Sequence, residues 1–221
     1  MRYDGLVART VLSVLLIVIG GALGAALSAY SPRLDQRTID EAVSIGQSYS
    51  DAARARFHQS YRVHIARAPV DHIDVSTPFR RLVTAAEERA RIGDRFFGQR
   101  DAAAVLARHG EGIEVAIGLT FHPLNTYAGI PGFDVSMQTL DARVIRARGV
   151  QRLPRFTARV TGAPMPGAGP GTGGGGQPLL GGTILAHFER ADLDPQGTYD
   201  VVIEEARKEM ARGRIELAKL R

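Results

Sequence analysis

The spacing of apolar side chains changes character twice along the chain. Residues 10–29 carry no charged group, and within them residues 11–19 are almost wholly apolar. Arg2 and Arg9 stand before this segment and small residues close it, ending in Leu27-Ser28-Ala29. That order is the order of a secretory signal peptide with a small-residue cleavage site. The same uncharged stretch is also long enough to cross about 30 Å of hydrocarbon, so an uncleaved transmembrane anchor is the competing reading. Either way, the sequence predicts export of the remaining body.

From about residue 35 the period is helical. Thr38-Ile39-Asp40-Glu41 has the form of a capping box, and Ile39, Val43, Tyr49, Ala53, Phe57 and Tyr61 predict one helix to about Ser60. Thr77 and Pro78 read as N-cap and first helical residue ahead of Leu82, Val83, Ala86 and Ala90. Asp101 is expected to cap a third helix that stops at Gly110.

At Ile113 the period becomes two. Ile113, Val115, Ile117, Leu119 and Phe121 alternate with Glu114, Ala116, Gly118 and Thr120, the pattern of a half-buried strand. Phe133, Val135 and Met137 repeat it. Phe156, Ala158 and Val160 are expected in the core, with Arg155, Thr157 and Arg159 on the opposite polar face. Residues 142–148, 183–189, 199–204 and 214–220 bring the candidate strands to seven. The expected class is α+β: a signal or anchor helix over 1–29, a helical region over 30–111, and an antiparallel β-sandwich over 112–221. Residues 162–182, rich in glycine and proline, read as a flexible surface loop within it. Gly171-Thr172-Gly173 and the glycines behind it do not make a phosphate loop, because no Gly-Lys-Ser/Thr follows.

Gly197-Thr198-Tyr199, followed by Val201 and Ile203, resembles the turn entering a late strand of immunoglobulin-like bacterial extracytoplasmic β-sandwich modules. The resemblance implies a tyrosine corner, in which the tyrosine hydroxyl hydrogen-bonds backbone just upstream. It departs from the family at Pro195, where an acidic residue is usual; Asp194 stands one place early. The match concerns architecture and carries no activity.

Composition narrows the chemistry. With no cysteine in 221 residues, thiol catalysis, thiolate metal sites, disulfides and a lipoprotein lipobox are excluded. The absence of tryptophan argues against a deep stacking groove for sugars or bases. The net charge of +5 is carried by arginine, since Lys208 and Lys219 are the only lysines, and the accompanying abundance of alanine and glycine marks this as a genomic bias. Nucleic acid is therefore not the expected partner. No Gly-x-Ser-x-Gly, His-Glu-x-x-His or Ser-x-x-Lys motif occurs, and no cofactor or catalytic residue is assigned.

Two polar groupings remain. Arg143, Arg146, Arg148, Arg152, Arg155 and Arg159 face only Asp141 across residues 141–160, a set suited to forked contacts with phosphate or carboxylate. His64, Asp71, His72 and Asp74, around Pro69, could hold a divalent metal. A loop over residues 122–132 contains Asn125, the only asparagine. The leading expectation is an exported, non-enzymatic binding or scaffolding module of the periplasm or cell envelope, released after cleavage or anchored in the inner membrane. Its expected partners are the membrane through residues 1–29 and an envelope protein, anionic polymer or lipid. The alternative is a metal-assisted extracytoplasmic hydrolase using the His64 grouping.

Overall fold

The computed structural model describes residues 30–31, 33–157 and 178–221. The signal or anchor reading of residues 1–29 lies outside the described residues, as do Ala158, Arg159, Val160 and residues 162–177 of the glycine-rich stretch, whereas residues 179–182, expected in that loop, belong to a strand. Among the described residues, no helix is long and apolar enough to cross a membrane.

Where one long helix was expected, two short ones form. Helix α1 spans Gln36–Gly46, and its cap is Asp35, whose carboxylate accepts the Thr38 N–H at 2.8 Å. The chain then breaks at 47–50, where serine side chains satisfy local backbone donors: Ser48 Oγ accepts from the Ser50 N–H, and Ser50 Oγ from that of Ala53, opening α2 at Asp51–Gln59. Helix α3, Pro78–Arg91, starts as expected behind Thr77, whose hydroxyl accepts the Arg80 N–H. Helix α4, Gln99–His109, ends at Gly110 with φ 69°. Asp101 sits in its first turn, accepting the N–H of the actual cap, Gly98.

The expectation of purely helical structure before residue 112 fails at two strands, β1 (Arg62–Arg67) and β2 (Val70–Ser76). Their cause is a short period-two pattern, Val63 and Ile65 on one strand and Ile73 and Val75 on the other. Beyond it seven strands form: β3 Ile113–Thr120, β4 Asp134–Thr139, β5 Val144–Arg146, β6 Gly149–Phe156, β7 Leu179–Phe188, β8 Thr198–Glu205 and β9 Lys208–Glu216; six overlie expected strands, while β6 runs ahead of the one expected around Phe156, Ala158 and Val160 and meets it only at residues 155–156, the rest lying outside the described residues. Strand β9 starts earlier than expected and gives way to a 3-10 turn at Leu217–Lys219.

All pairings are antiparallel. One sheet has the order β1-β2-β3-β7-β6 and the other β5-β4-β8-β9. Ile73, Val115, Ile117 and Ile184 of the first sheet share a buried cluster with Val135, Met137, Val201 and Ile203 of the second. Strand β1 also touches β9, closing one side. A second cluster, of Phe79, Leu82, Val83 and Ala86 with Ala42, Phe97 and Ala102, joins α1, α3 and α4, and Phe57 packs on both. Helices α1 and α3 approach so closely that a Cβ at Gly46 would run into the Val83 carbonyl oxygen.

Strand β6 corrects another expectation. It is an edge strand with every residue exposed, and Phe156 is 39 % exposed where a core position was expected. Alternation assigns side chains to two faces of a strand but does not say that either face is covered by another layer.

The register gives the body two distinct ends. Ser76 lies beside Glu114, Ile113 beside Phe188 and Gly149 beside His187, so the α3–α4 insertion and the 189–197 connection emerge at one end. Arg67, Thr120 and Phe156 reach the other, with the 121–133 loop. Eight-residue β3 separates these ends by about 25 Å. At the helix end, the Tyr199 hydroxyl accepts the Asp194 N–H at 2.6 Å and lies 3.3 Å from its carbonyl, as a tyrosine corner requires. A Cβ at Gly197 would come within 2.6 Å of the Tyr199 ring, which explains the Gly-x-Tyr spacing.

Candidate functional site

The β1–β2 register places His64 directly opposite His72, with Asp74 two residues further along the same face. Asp74 is committed to arginine. Arg62 donates to it through Nε at 3.0 Å and through a second nitrogen at 2.6 Å, and Arg80 approaches to 3.7 Å. Burial opposes ionisation of Asp74, but the Arg62 hydrogen bonds and the nearby arginine charges outweigh it and hold the carboxyl below the usual range. Asp71 stands at the irregularity in the β2–β3 register and accepts the Thr120 hydroxyl at 2.6 Å. The four residues thus do not converge, and among the described residues no three histidine or acidic side chains are grouped as a metal would need.

The His72 ring lies over Gly118 and 3.7 Å from Asp74. Burial, reinforced by Arg62, lowers its pKa from 6.5, and burial beside Arg81 lowers that of His109 likewise. An unfolded chain therefore binds more protons than the folded one just below that pH, and stability falls on acidification through the window below 6.5. Thermal melts between pH 7 and 5 are expected to show this slope, and His72→Gln should flatten it. Equal slopes in the two proteins would remove His72 as its source.

A second network was not legible in sequence because its members are far apart along the chain. Glu87 of α3 accepts from Arg54 at 3.2 Å and Arg91 at 2.7 Å, and pairs with His58 Nε2 at 2.8 Å. Arg80 Nε reaches His58 Nδ1 at 3.5 Å, so the chain of charges runs from α2 through α3 to Asp74 on β2. It joins the helical layer to the sheet.

The six predicted arginines separate. Arg143, Arg146 and Arg148 line a cleft of about 330 Å³ at the helix end with Ile145 and Asp192. Arg143 donates to the Asp192 carbonyl at 3.0 Å, and Arg148 lies 3.4 Å from Glu189. Arg152 turns between the sheets to donate to the Phe133 carbonyl at 2.8 Å, a structural role. Arg155 stands near the other end of β6, and Arg159 is outside the described residues. Arg146 makes no hydrogen bond or ion pair with any described residue.

Beside this cleft, a cavity of about 610 Å³ is lined by Glu111, Gly112, His187, Glu189 and Arg190. Glu111 accepts from Arg33 at 3.0 Å and Arg190 at 2.7 Å, and these hydrogen bonds hold its carboxyl below the usual range. The Glu111 carbonyl accepts the Tyr30 hydroxyl at 2.8 Å. Neither Arg33 nor Arg190 stood out in sequence; only the fold brings them beside the Arg143 cleft.

At the loop end, Asn125 is a structural pin. Its amide donates to the carbonyls of His122 at 2.7 Å and Leu179 at 2.8 Å, and its oxygen accepts the Tyr127 N–H at 3.0 Å. The pinned loop presents a cavity of about 600 Å³ bordered by Pro123, Thr126, Tyr127, Phe156 and Pro178, with Leu124 83 % exposed nearby. Comparison of the chain with protein-family models, with curated proteins and with solved structures finds no match.

Proposed function

We propose that this chain is an exported cell-envelope protein, held to or released from the membrane by residues 1–29, whose body is a non-enzymatic module that binds an anionic partner. The architecture we assign to the body is an immunoglobulin-like β-sandwich. Supporting it, the orders β2-β3-β7-β6 and β5-β4-β8-β9 correspond to strands A-B-E-D and C′-C-F-G of that fold, with β1 as an addition. Tyr199 then begins strand F, where the fold places its corner tyrosine.

The observation that carries the binding reading is the cleft of Arg143, Arg146 and Arg148, in which the Arg146 guanidinium has no partner among the described residues. A planar guanidinium in a polar cleft is suited to phosphate, sulfate or carboxylate. Retention on a dextran-sulfate column tests it. Arg143→Gln combined with Arg146→Gln is expected to elute at clearly lower salt than the parent, while each exposed change costs within about 0.5 kcal/mol of stability. Elution at the same salt, with both proteins folded, would overturn the binding role of the cleft.

A further inference from the structure

We infer that the corner formed by the break between α1 and α2 and by the loop over residues 92–98 is a membrane-contact surface, which sinks Phe96 and Ile92 into the interfacial region of a lipid bilayer. The inference goes beyond the arginine cleft and uses neither that cleft nor residues 1–29.

The first support is exposure. Phe96 is 94 % exposed, Tyr49 84 % and Ile92 77 %, three of the four most exposed large apolar side chains among the described residues. One such side chain on a surface is ordinary, but here three occupy a single corner.

The second support is construction. Phe97 is buried in the helical cluster, so the extended chain turns its neighbour Phe96 to the opposite side. The Gln47 side-chain amide donates to the carbonyls of Arg95 at 3.1 Å and Phe97 at 3.3 Å, and Arg95 donates back to the Gln47 carbonyl at 2.8 Å. The Asp94 carboxylate accepts the Phe96 N–H at 3.0 Å, and the Arg95 guanidinium lies 3.8 Å over the Tyr49 ring. The loop is thus ordered before any contact, which lowers the cost of binding. Helix α3 meets the sheet side through its first turn, where Arg80 donates to the Val75 carbonyl and Arg81 to that of Gly110. Its 14 residues carry the loop about 21 Å from that turn, so the corner projects.

Charge and area select the partner. Residues 45–56 and 86–101, which build the corner, hold six arginines and five acidic side chains, with Arg89 paired to Asp94 and Arg91 to Glu87. The near balance leaves apolar contact as the driving force. Three side chains of this size offer roughly 500 Å², at about 150–250 Å² for an aromatic residue. That is below the ~800 Å² per partner of a stable protein interface, so neither a second copy nor another protein is well served. A bilayer needs no complementary patch. Tyr49 and Arg95 can keep their polar tips among the headgroups while Phe96 and Ile92 go deeper, as interfacial residues do.

The chain has no tryptophan, so Phe96→Trp and, at the opposite end of the body, Leu124→Trp each supply a single reporter. Full-length proteins, with melting temperatures matching the parent's, would be brought by detergent dilution onto excess phosphatidylcholine vesicles brominated on the acyl chains. The Phe96→Trp protein is expected to emit further to the blue and to be quenched several-fold more than the Leu124→Trp protein. Adding Ile92→Asn should reduce that quenching, and raising the salt should leave it unchanged. Equal quenching of the two reporters, or none for Phe96→Trp, would overturn the inference. So would quenching that salt abolishes, since charge would then be the driving force. A blue shift that grows with protein concentration and ignores lipid would show a second copy covering the corner, and would also overturn it.

Discussion

Replacing Glu87 by alanine is expected to cost about 3–5 kcal/mol, because it leaves the largely buried Arg54 guanidinium and the His58 ring facing an empty site. Arg54 has only 14 % of its side chain exposed and cannot turn fully to water, since it also donates to Ser48 and Asp51. Removing Arg91, whose side chain is 69 % exposed, deletes a contact to the same carboxylate yet should cost less than about 1 kcal/mol. Urea denaturation of the two variants distinguishes a buried network from a set of surface pairs. Similar midpoints for both would mean that the Glu87 cluster is solvated and contributes little.

Tyr30→Ala is the second large effect, with an expected loss of about 3–5 kcal/mol for emptying a fully buried aromatic site. Burial pushes the Tyr30 phenol up to about 12, consistent with a hydroxyl that stays neutral against the Glu111 carbonyl. Tyr30→Phe retains the ring and should lose only about 0.5–1.5 kcal/mol, the net value of a hydrogen bond. The pair of variants, compared by thermal melting, separates packing from hydrogen bonding. If alanine costs no more than phenylalanine, Tyr30 is not part of the core in solution.

The elements that could be read in advance were those whose signal is local. Thr77 and Pro78 announce α3 through a cap and a fixed φ, and the alternation of Ile113 to Phe121 announces β3. Strands β1 and β2 carry the same kind of alternation, but in runs interrupted by Pro69 and filled with histidine, aspartate and arginine, so their polar face looked like a chemical cluster instead of the outside of a sheet. Phe156 misled for the opposite reason: its alternation is real, but whether a face is covered depends on a neighbour that the strand itself does not encode.

The polar sites divide along the same line. Arg143, Arg146 and Arg148 are near in sequence and meet around one cleft. Arg33, Glu111 and Arg190 are brought together from across the chain, with Arg33 and Glu111 separated by 78 positions, and no local pattern could have grouped them. Glu87 is a similar case. Its partners Arg54 and His58 lie 33 and 29 residues away, on a helix that the apolar stripe alone would have merged with the one before it.

Tyr30 and Leu217 are bonded to each other, and Arg221 meets Tyr61, Thr77 and Glu41. A ribosome delivers these partners in order, and at roughly 5–20 residues per second some 10–40 s separate residue 30 from residue 217. Throughout that interval the nascent chain holds the early half of several joints whose later half does not yet exist. Its first helices and strands must wait, partly assembled, for the last strand to arrive before the body can lock.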